Sequence, residues 1–365
     1  MANEPAPADI LLRLSLVAGF TARHLAILGR ERSQADPEEA LSRADRGILR
    51  TGLRALDSRE AAAEEDLRRR CGRAGVEILP IGSDGYPGLL ASVPDAPLVL
   101  YRKGGSAAGT DTVALVGSRA ATGAGREFAR LLAADLALAG LTVVSGMARG
   151  IDTAAHEGAL REGGSTIAVL GCGADILYPP ESGKLRDRIQ AQGALLSELP
   201  PGTPPLSRHF PMRNRLISGM SRGVVVVEAP GRSGALITAR TALDQGREVM
   251  AVPGSPLFPH TEGSNRLLRE GAIPVTGADD VLQALGLAME SRPENRDAAA
   301  VERERRILGY CRKKRHVNGI SAGLGIHVPE LFPILLDLEL RKLLERRGGD
   351  YYKKTSVPGG TPAES

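Results

Sequence analysis

Cysteine is scarce in this chain of 365 residues, and no two cysteines lie close together. Cys71, Cys172 and Cys311 provide neither a disulfide framework nor the ligand spacing of a zinc site. We therefore expect a protein of the reducing cytoplasm, without a metal, in which the three cysteines have packing roles.

Long apolar runs are also lacking. The most apolar uncharged stretch, residues 136–148, is too short to span a bilayer and contains glycine and threonine. Residues 1–9 hold two acidic side chains and lack the basic region followed by an apolar region that a secretory signal needs. The sequence predicts no association with a membrane.

Two nucleotide-binding motifs are missing as well. The turn at residues 117–125 is not G-x-G-x-x-G, and the next predicted strand ends in Val144 and Ser145 instead of an acid that could hold a ribose. The Gly183-Lys184 pair has Tyr178 where a phosphate-binding P-loop has its first glycine. These absences argue against a dinucleotide enzyme and an ATPase, and we expect no cofactor.

The composition changes along the chain and suggests three domains. Residues 1–75 are rich in Ala, Leu and Arg with helical apolar spacing, which predicts a small helical domain. Residues 16–21 resemble the turn of a helix-hairpin-helix or sterile-alpha-motif-like unit. An ordinary αα-hairpin is the favoured alternative, because the turn lacks a second glycine that would present amides to phosphate.

Residues 76–289 alternate β-branched runs with glycine-rich turns and amphipathic segments. This order predicts an α/β fold with a doubly wound parallel sheet and helices on both faces. The predicted strands are residues 113–116, 142–145, 166–170, 194–197, 224–228, 248–252 and 272–275, with edge strands at 76–79 and 98–101. The predicted helices begin near Gly125, Ile151, Lys184, Arg213, Gly234 and Glu262.

A linker rich in charge, proline and alanine, residues 290–300, leads to the third domain, residues 301–365. Helical patterns at 302–311, 317–324 and 328–344 precede a turn flanked by strand-forming residues, which predicts a winged helix-turn-helix with a disordered tail. Residues 302–354 hold thirteen Lys and Arg against seven Asp and Glu. This surplus fits nucleic-acid contact, although winged helices also contact proteins.

Glycine-rich turns follow the predicted strands of the central domain. In an open α/β sheet, the loops that leave the carboxyl ends of the strands line one crevice, where ligands bind. Glycine lets backbone N–H groups and helix N-termini approach an anion closely. A ligand that carries phosphates is therefore predicted at this edge of the sheet. The five turns are residues 117–119, 146–150, 171–173, 230–234 and 253–255.

The formal net charge is only +4, so attraction to nucleic acid must come from where the charges lie. Residues 199–227 contain no Asp or Glu, and a proline-rich loop leads there to Arg208, His209 and Phe210. Phe210 offers a flat face to a base, while arginines offer fork-shaped donors to phosphates. Alternatively, Phe210 fills a core and the arginines pair with helix-borne acids. We favour a single-stranded DNA site.

Residues of four segments are predicted to form this site. They are Gly117, Ser118, Arg119, Arg149, Gly150, Arg208, His209, Phe210, Arg213, Asn214, Arg215, Ser233 and Gly234. Asp152 and His156, one helical turn apart, are alternative metal ligands or an acid/base pair. We favour a structural role for them, because no third ligand lies nearby in sequence and an Asp at a helix start is commonly a cap.

Several of these motifs occur together, in order, in one known family. They are residues 116–119, 145–152 with His156, 171–173 with Tyr178-Pro179, Ser197-Glu198, 210–219, 233–239, 251–254 and 263–265. In these motifs the chain strongly resembles the DNA-processing protein A family, also called Smf, over nearly its whole length.

The resemblance implies a Rossmann-like domain that binds single-stranded DNA, flanked by variable terminal domains, in a homodimer. Such proteins protect DNA taken up in natural transformation and help to load the RecA recombinase on it. The resemblance assigns DNA contact to Arg119 and to residues 210–215, and it implies no enzymatic activity. One departure is Ser207, where members often carry Lys, which weakens or relocates one phosphate contact.

Two other functions fit parts of the sequence. The turn at residues 230–234 resembles that of nucleotide phosphoribohydrolases, but Thr238 stands where their motif has a catalytic Glu. A regulator that reads duplex DNA through the winged helix is the other alternative, and it would prefer duplex over single strands.

Overall fold

The structure is a computed structural model that describes residues 7–17, 21, 23–24, 48, 51–52, 61–105, 111–161, 163–287, 298–340, 343–347 and 349–354. The chain divides into two compact units, Met1–Met289 and Glu290–Ser365. In the described residues, no helix combines the length and the apolar character that crossing a bilayer requires.

The described residues of the first unit form a nine-stranded sheet in the order β1-β2-β6-β5-β4-β3-β7-β8-β9. Strands β3 to β9 are mutually parallel, whereas β2 runs antiparallel to β6 and β1 antiparallel to β2. The strands are β1 Glu77–Pro80, β2 Val99–Gly104, β3 Thr112–Val116, β4 Thr142–Ser145, β5 Thr166–Val169, β6 Ala194–Ser197, β7 Gly223–Val226, β8 Glu248–Ala251 and β9 Ile273–Pro274.

Helices cover both faces of the sheet. In β3, Val113 and Leu115 pack into a core with Leu132, whereas Ala114 and Val116 pack into a second core with Leu216. This confirms the doubly wound, Rossmann-like sheet, because a parallel sheet needs apolar residues on both sides. The helices are α1 Pro7–Ser15, α2 Ala61–Ala74, α3 Gly88–Ala91, α4 Gly123–Leu138, α5 Ile151–Ala159, α6 Gly183–Gln192, α7 His209–Gly219, α8 Gly234–Asp244, α9 Glu262–Arg269 and α10 Ala278–Ala284.

The helices of the N-terminal segment pack on the antiparallel end of the sheet. Leu12 of α1 and Leu67 of α2 belong to the same buried cluster as Val99 of β2 and Leu195 of β6. The predicted hairpin turn around Gly19 lies outside the described residues, and the assignment of residues 1–75 to a domain of their own stays a prediction.

The described residues of the second unit form three helices and a small sheet. Ile307, Ile320, Leu335 and Tyr352 lie in its core. The third helix ends at Leu340, earlier than the predicted residue 344, because Leu344 begins a strand of the hairpin. The winged-helix assignment stays a prediction. The elements are α11 Ala298–Tyr310, β10 Arg315–His316, α12 Val317–Leu324, α13 Val328–Leu340, β11 Leu344–Arg347 and β12 Tyr351–Lys354, in the sheet order β10-β12-β11.

Candidate functional site

A cleft of about 590 Å³ opens where β3 and β7 end, between the loop after β3, the start of α7 and the start of α8. Three arginines line it, Arg119, Arg213 and Arg232. The acidic side chain among its described lining residues is that of Asp152, which is buried. The cleft lies at the carboxyl edge of the sheet, where the glycine turns predicted a site.

Phe210 lies in the first turn of α7, half-buried, at the side of this cleft. Its ring centroid is 5.4 Å from that of Tyr178, with the planes tilted by 39°. The Cζ atom of Arg119 lies 5.3 Å from the same centroid. A side chain on Gly171 would place its Cβ only 2.9 Å from the ring, so this glycine makes room for Phe210.

Arg213 is buried, at 4 % exposure, and is directed into the protein. Its guanidinium donates to the carbonyl oxygens of Gly146, at 2.7 Å, and of Val169. Burial lowers the pKa of Arg213 to about 10, so the group keeps its charge at neutral pH. Burial also raises the pKa of Asp152, and the nearby charge of Arg213 opposes that rise. Arg213 therefore ties α7 to the ends of β4 and β5.

The second arginine of this helix, Arg215, is also engaged. Arg215 pairs with the half-buried carboxylate of Glu198 and, at 3.6 Å, with Asp95. Burial raises the pKa of Glu198, while the charge of Arg215 opposes it. The carboxylates that pair with Arg215 thus lie outside the acid-free segment, residues 199–227. The alternative to DNA contact, in which the arginines pair with acids, therefore applies to Arg215, although Glu198 and Asp95 do not lie on helices.

Three arginines near the cleft remain exposed: Arg119, Arg208 and Arg232. Within the described ranges, no carboxylate forms an ion pair with any of them. Arg149, in contrast, pairs with Glu181 at the surface. The free positive charge of the site therefore comes from the loop after β3, the residue before α7 and the loop before α8.

The remaining predicted residues have structural contacts. His209 is buried, Asn214 donates from its amide to the carbonyl oxygen of Gly234 at 3.3 Å, and the Ser233 hydroxyl caps α8 by accepting from the Ala235 N–H. Gly150 has a φ of 81°, and a Cβ there would lie 2.2 Å from the Ser118 carbonyl oxygen. Gly150 thus allows its loop to approach the loop after β3.

The amides at the start of α4 are occupied by the protein itself. Glu228 is buried at the end of β7, and its carboxylate accepts from the Thr122 N–H and, at 2.8 Å, from the Thr122 hydroxyl. The Glu228 carbonyl oxygen accepts from the Ser118 N–H. Glu228 therefore holds the turn around Gly117. The start of α4, which the sequence predicted as a phosphate-binding position, already binds the Glu228 carboxylate.

Asp152 and His156 have contacts that fit a structural role. The Asp152 carboxylate accepts from the Ala148 N–H at 3.3 Å. The Thr166 hydroxyl donates to the Val143 carbonyl oxygen, so it accepts from Nδ1–H of His156, at 2.7 Å. Across the described residues, no three His, Cys, Asp or Glu side chains come together as a metal site.

Stability should depend on the protonation of His156. Burial lowers its pKa from 6.5 to about 3, so below pH 6.5 the unfolded chain takes up a proton that the folded chain refuses. The unfolding free energy should fall by about 2 kcal/mol between about pH 8 and pH 5. His156→Asn keeps an N–H toward Thr166 and should remove this fall. Urea titrations at both pH values measure it, and an equal fall in the variant contradicts it.

Two residues that line the cleft, Tyr178 and Arg232, lie in segments that the sequence analysis singled out but were not among the predicted site residues. Tyr178 follows the turn at 171–173 and packs on Phe210, and Arg232 lines the cleft from the loop before α8. Both stand on loops at the carboxyl edge of the sheet, which was the available signal. Thr238, at the position of the hydrolase carboxylate, also lines the cleft and is buried.

Comparison with known proteins adds a family assignment to this geometry. Residues 77–286 match the family model described as DNA recombination-mediator protein A. The chain is 39 % identical to Protein Smf of Escherichia coli over 287 residues, which cover 76 % of this chain and 77 % of that protein. It is 46 % identical to DNA processing protein DprA of Streptococcus pneumoniae over 200 residues, 54 % of this chain and 71 % of that protein.

Solved structures agree with the sequence comparison. The X-ray structure of DNA processing protein A from Streptococcus pneumoniae superposes with a TM-score of 0.64 at 34 % identity, covering 77 % of this chain and 98 % of that one. A second structure, which concerns the single-stranded DNA binding mode of DNA processing protein A from Helicobacter pylori, superposes with a TM-score of 0.51 at 29 % identity. The match covers 57 % of this chain and 95 % of that one.

Proposed function

This chain belongs to the DNA recombination-mediator protein A family, and from that premise we propose that it binds single-stranded DNA in the cleft beside Phe210. The Helicobacter pylori relative, whose structure concerns single-stranded DNA binding, supports the ligand class. The contacts around Phe210 support the position.

The observation that carries the proposal is the aromatic and cationic arrangement at the cleft. Phe210 and Tyr178 present two rings, and Arg119 lies over the Phe210 ring. Bases of any sequence stack on aromatic faces, while arginines neutralise the phosphates that follow. In this proposal Arg119, Arg208 and Arg232 contact phosphates, and the exposed start of α8 at Gly234 adds partial positive charge.

Arg213 and Arg215 receive a different role from the three exposed arginines. Their guanidinium groups already bind protein carbonyls and carboxylates, so a phosphate would have to displace these partners. We assign them to the positioning of α7, and thereby of Phe210. His209 and Asn214 belong to the same supporting group.

Salt dependence tests the proposal on the full chain. Affinity for labelled oligo-dT should fall as salt rises, with a slope of about −0.7 for each phosphate neutralised. Arg119→Ala should lower the affinity and reduce that slope by about 0.7, because one phosphate contact is lost. Arg240→Ala, an exposed arginine of α8 that does not line the cleft, is the matched control.

Fluorescence anisotropy with oligo-dT and with a duplex of the same length separates the candidate functions. Stronger binding to the single strand, with the Arg119→Ala effect, supports the cleft. Stronger binding to the duplex with no effect of Arg119→Ala contradicts it and favours a duplex-reading regulator.

We further propose that the bound strand is protected and passed to the RecA recombinase, in recombination and natural transformation, by a homodimer. The family membership supports this step. RecA-dependent ATP hydrolysis on single-stranded DNA should rise on addition of the protein. An unchanged rate with intact DNA binding contradicts the transfer step while leaving the binding site standing.

A further inference from the structure

The loop after β8 exposes two large apolar side chains and a pair of stacked rings. Leu257 is 84 % exposed and Phe258 is 53 % exposed. The rings of Phe258 and His260 are stacked at 5.4 Å between centroids, with an angle of 9° between their planes. This surface, Leu257, Phe258 and His260, is called the outer platform below.

Hydrogen bonds hold the outer platform in place. The Thr261 hydroxyl donates to the Ser255 carbonyl oxygen at 2.7 Å, and the Phe258 N–H donates to the same oxygen at 3.2 Å. The side chain of Asn265 closes the base of the loop: its amide oxygen accepts from the Gly254 N–H at 3.1 Å, and its amide nitrogen donates to the Gly254 carbonyl oxygen at 2.9 Å. The rings are therefore presented by an ordered loop, which lowers the entropy lost when a ligand stacks on them.

The outer platform lies beside the loop that borders the cleft. Strands β7 and β8 are parallel neighbours, so the loops after both leave the same edge of the sheet. The start of α9 joins them, because the Gly263 N–H donates to the Ala229 carbonyl oxygen at 2.8 Å and Arg266 donates to that of Gly231 at 3.3 Å. Arg232, which lines the cleft, is the next residue along that loop.

We propose that the outer platform is a second base-stacking site for the strand that occupies the cleft, an inference that rests on the proposed function. The exposed Arg232 stands on the loop that borders the cleft and contacts the start of α9, and in this proposal its guanidinium supplies a phosphate contact. Phe258, 53 % exposed, leaves part of its flat ring open to solvent, and such a ring favours a base, since every base has a face for stacking. A strand that leaves the cleft past Arg232 thus reaches Phe258.

Strands with and without bases test this inference. Phe258→Ala should weaken binding of an oligo-dT of about 20 nucleotides by about fivefold or more, because one stacked base is lost. The slope of log affinity against log salt should not change, because no phosphate contact is removed. On a strand whose nucleotides outside a short dT segment are abasic, Phe258→Ala should have no effect. Phe258→Trp should retain binding, and Phe332→Ala, an exposed phenylalanine of the second unit, is the matched control.

The outcomes separate this inference from the proposed function. If the full chain binds oligo-dT and Arg119→Ala weakens it, while Phe258→Ala binds as the unaltered chain does, the outer platform is wrong and the cleft stands. If the full chain does not bind oligo-dT, the proposed function itself fails. An equal loss on the abasic strand contradicts stacking. A change of sedimentation velocity on Phe258→Ala with unchanged DNA affinity contradicts it in favour of a protein-contact surface.

Discussion

Replacing Phe210 by alanine should weaken binding of oligo-dT by about 1–3 kcal/mol, which corresponds to a loss of about five- to 150-fold in affinity. The loss is expected because the Phe210 ring contacts both Tyr178 and Arg119, and a base stacked there would lose its support. Arg119 would also lose the ring that orients its guanidinium. Anisotropy titrations with the full chain measure the effect.

The control for this prediction is the stability of the Phe210→Ala variant. Phe210 is half-buried, so its truncation should leave the unfolding transition nearly in place. Phe210→Tyr retains a stacking face and should bind close to the unaltered protein. An alanine variant that keeps its full affinity for oligo-dT would show that the bases do not stack on this ring.

Arg213→Met should lower the free energy of unfolding by about 3–5 kcal/mol, because removal of one charge from a buried arrangement leaves the other uncompensated. The variant deprives the Gly146 and Val169 carbonyl oxygens of their donor and removes the positive charge that acts most strongly on the buried Asp152. Methionine fills the volume of the arginine stem, so the loss of unfolding free energy comes from the missing charge and the missing hydrogen-bond donors.

Arg208→Met is the matched control, because Arg208 is exposed and precedes the same helix. Its effect on stability should stay within about 0.5 kcal/mol, whereas its affinity for oligo-dT should fall. Urea unfolding followed by circular dichroism measures both variants. If Arg213→Met were as stable as the unaltered chain, the supporting role of Arg213 would be contradicted. Arg213 would then be a candidate for phosphate contact.

The sequence predicted the sheet well because its central strands are buried on both faces. Val113 to Val116 form a continuous apolar run, and glycines mark the turn that follows. Ends of elements were less accurate: α7 was expected near Arg213 and begins at His209. Its Pro211 fits the first turn, where a missing N–H costs nothing, so local sequence allowed both starts.

The cleft was predicted only in part, since its charges depend on contacts between distant segments. The absence of acids in residues 199–227 suggested free arginines, yet Glu198 and Asp95 pair with Arg215. Burial of Arg213 also depends on where β4 and β5 end beneath α7. Such pairings arise from tertiary packing, and local composition does not contain them.

The glycine-rich turns were also interpreted only in part from the local sequence. They stand at the edge of the sheet that holds the cleft, but the physical reason for these glycines differs in part from anion binding. Gly171 gives room to the Phe210 ring, and the turn at Gly117 is bound to Glu228. Close packing between loops and an approach of amides to phosphate both require glycine, so the residue type alone did not distinguish them.

Photocrosslinking tests the central claim most directly. Oligo-dT that carries 5-iodouracil at single positions is irradiated on the full chain, and the attached peptides are identified by mass spectrometry. The account predicts crosslinks to Phe210 or Tyr178 that disappear in Arg119→Ala at moderate salt. Crosslinks confined to residues 298–354, with none in the cleft, would contradict it.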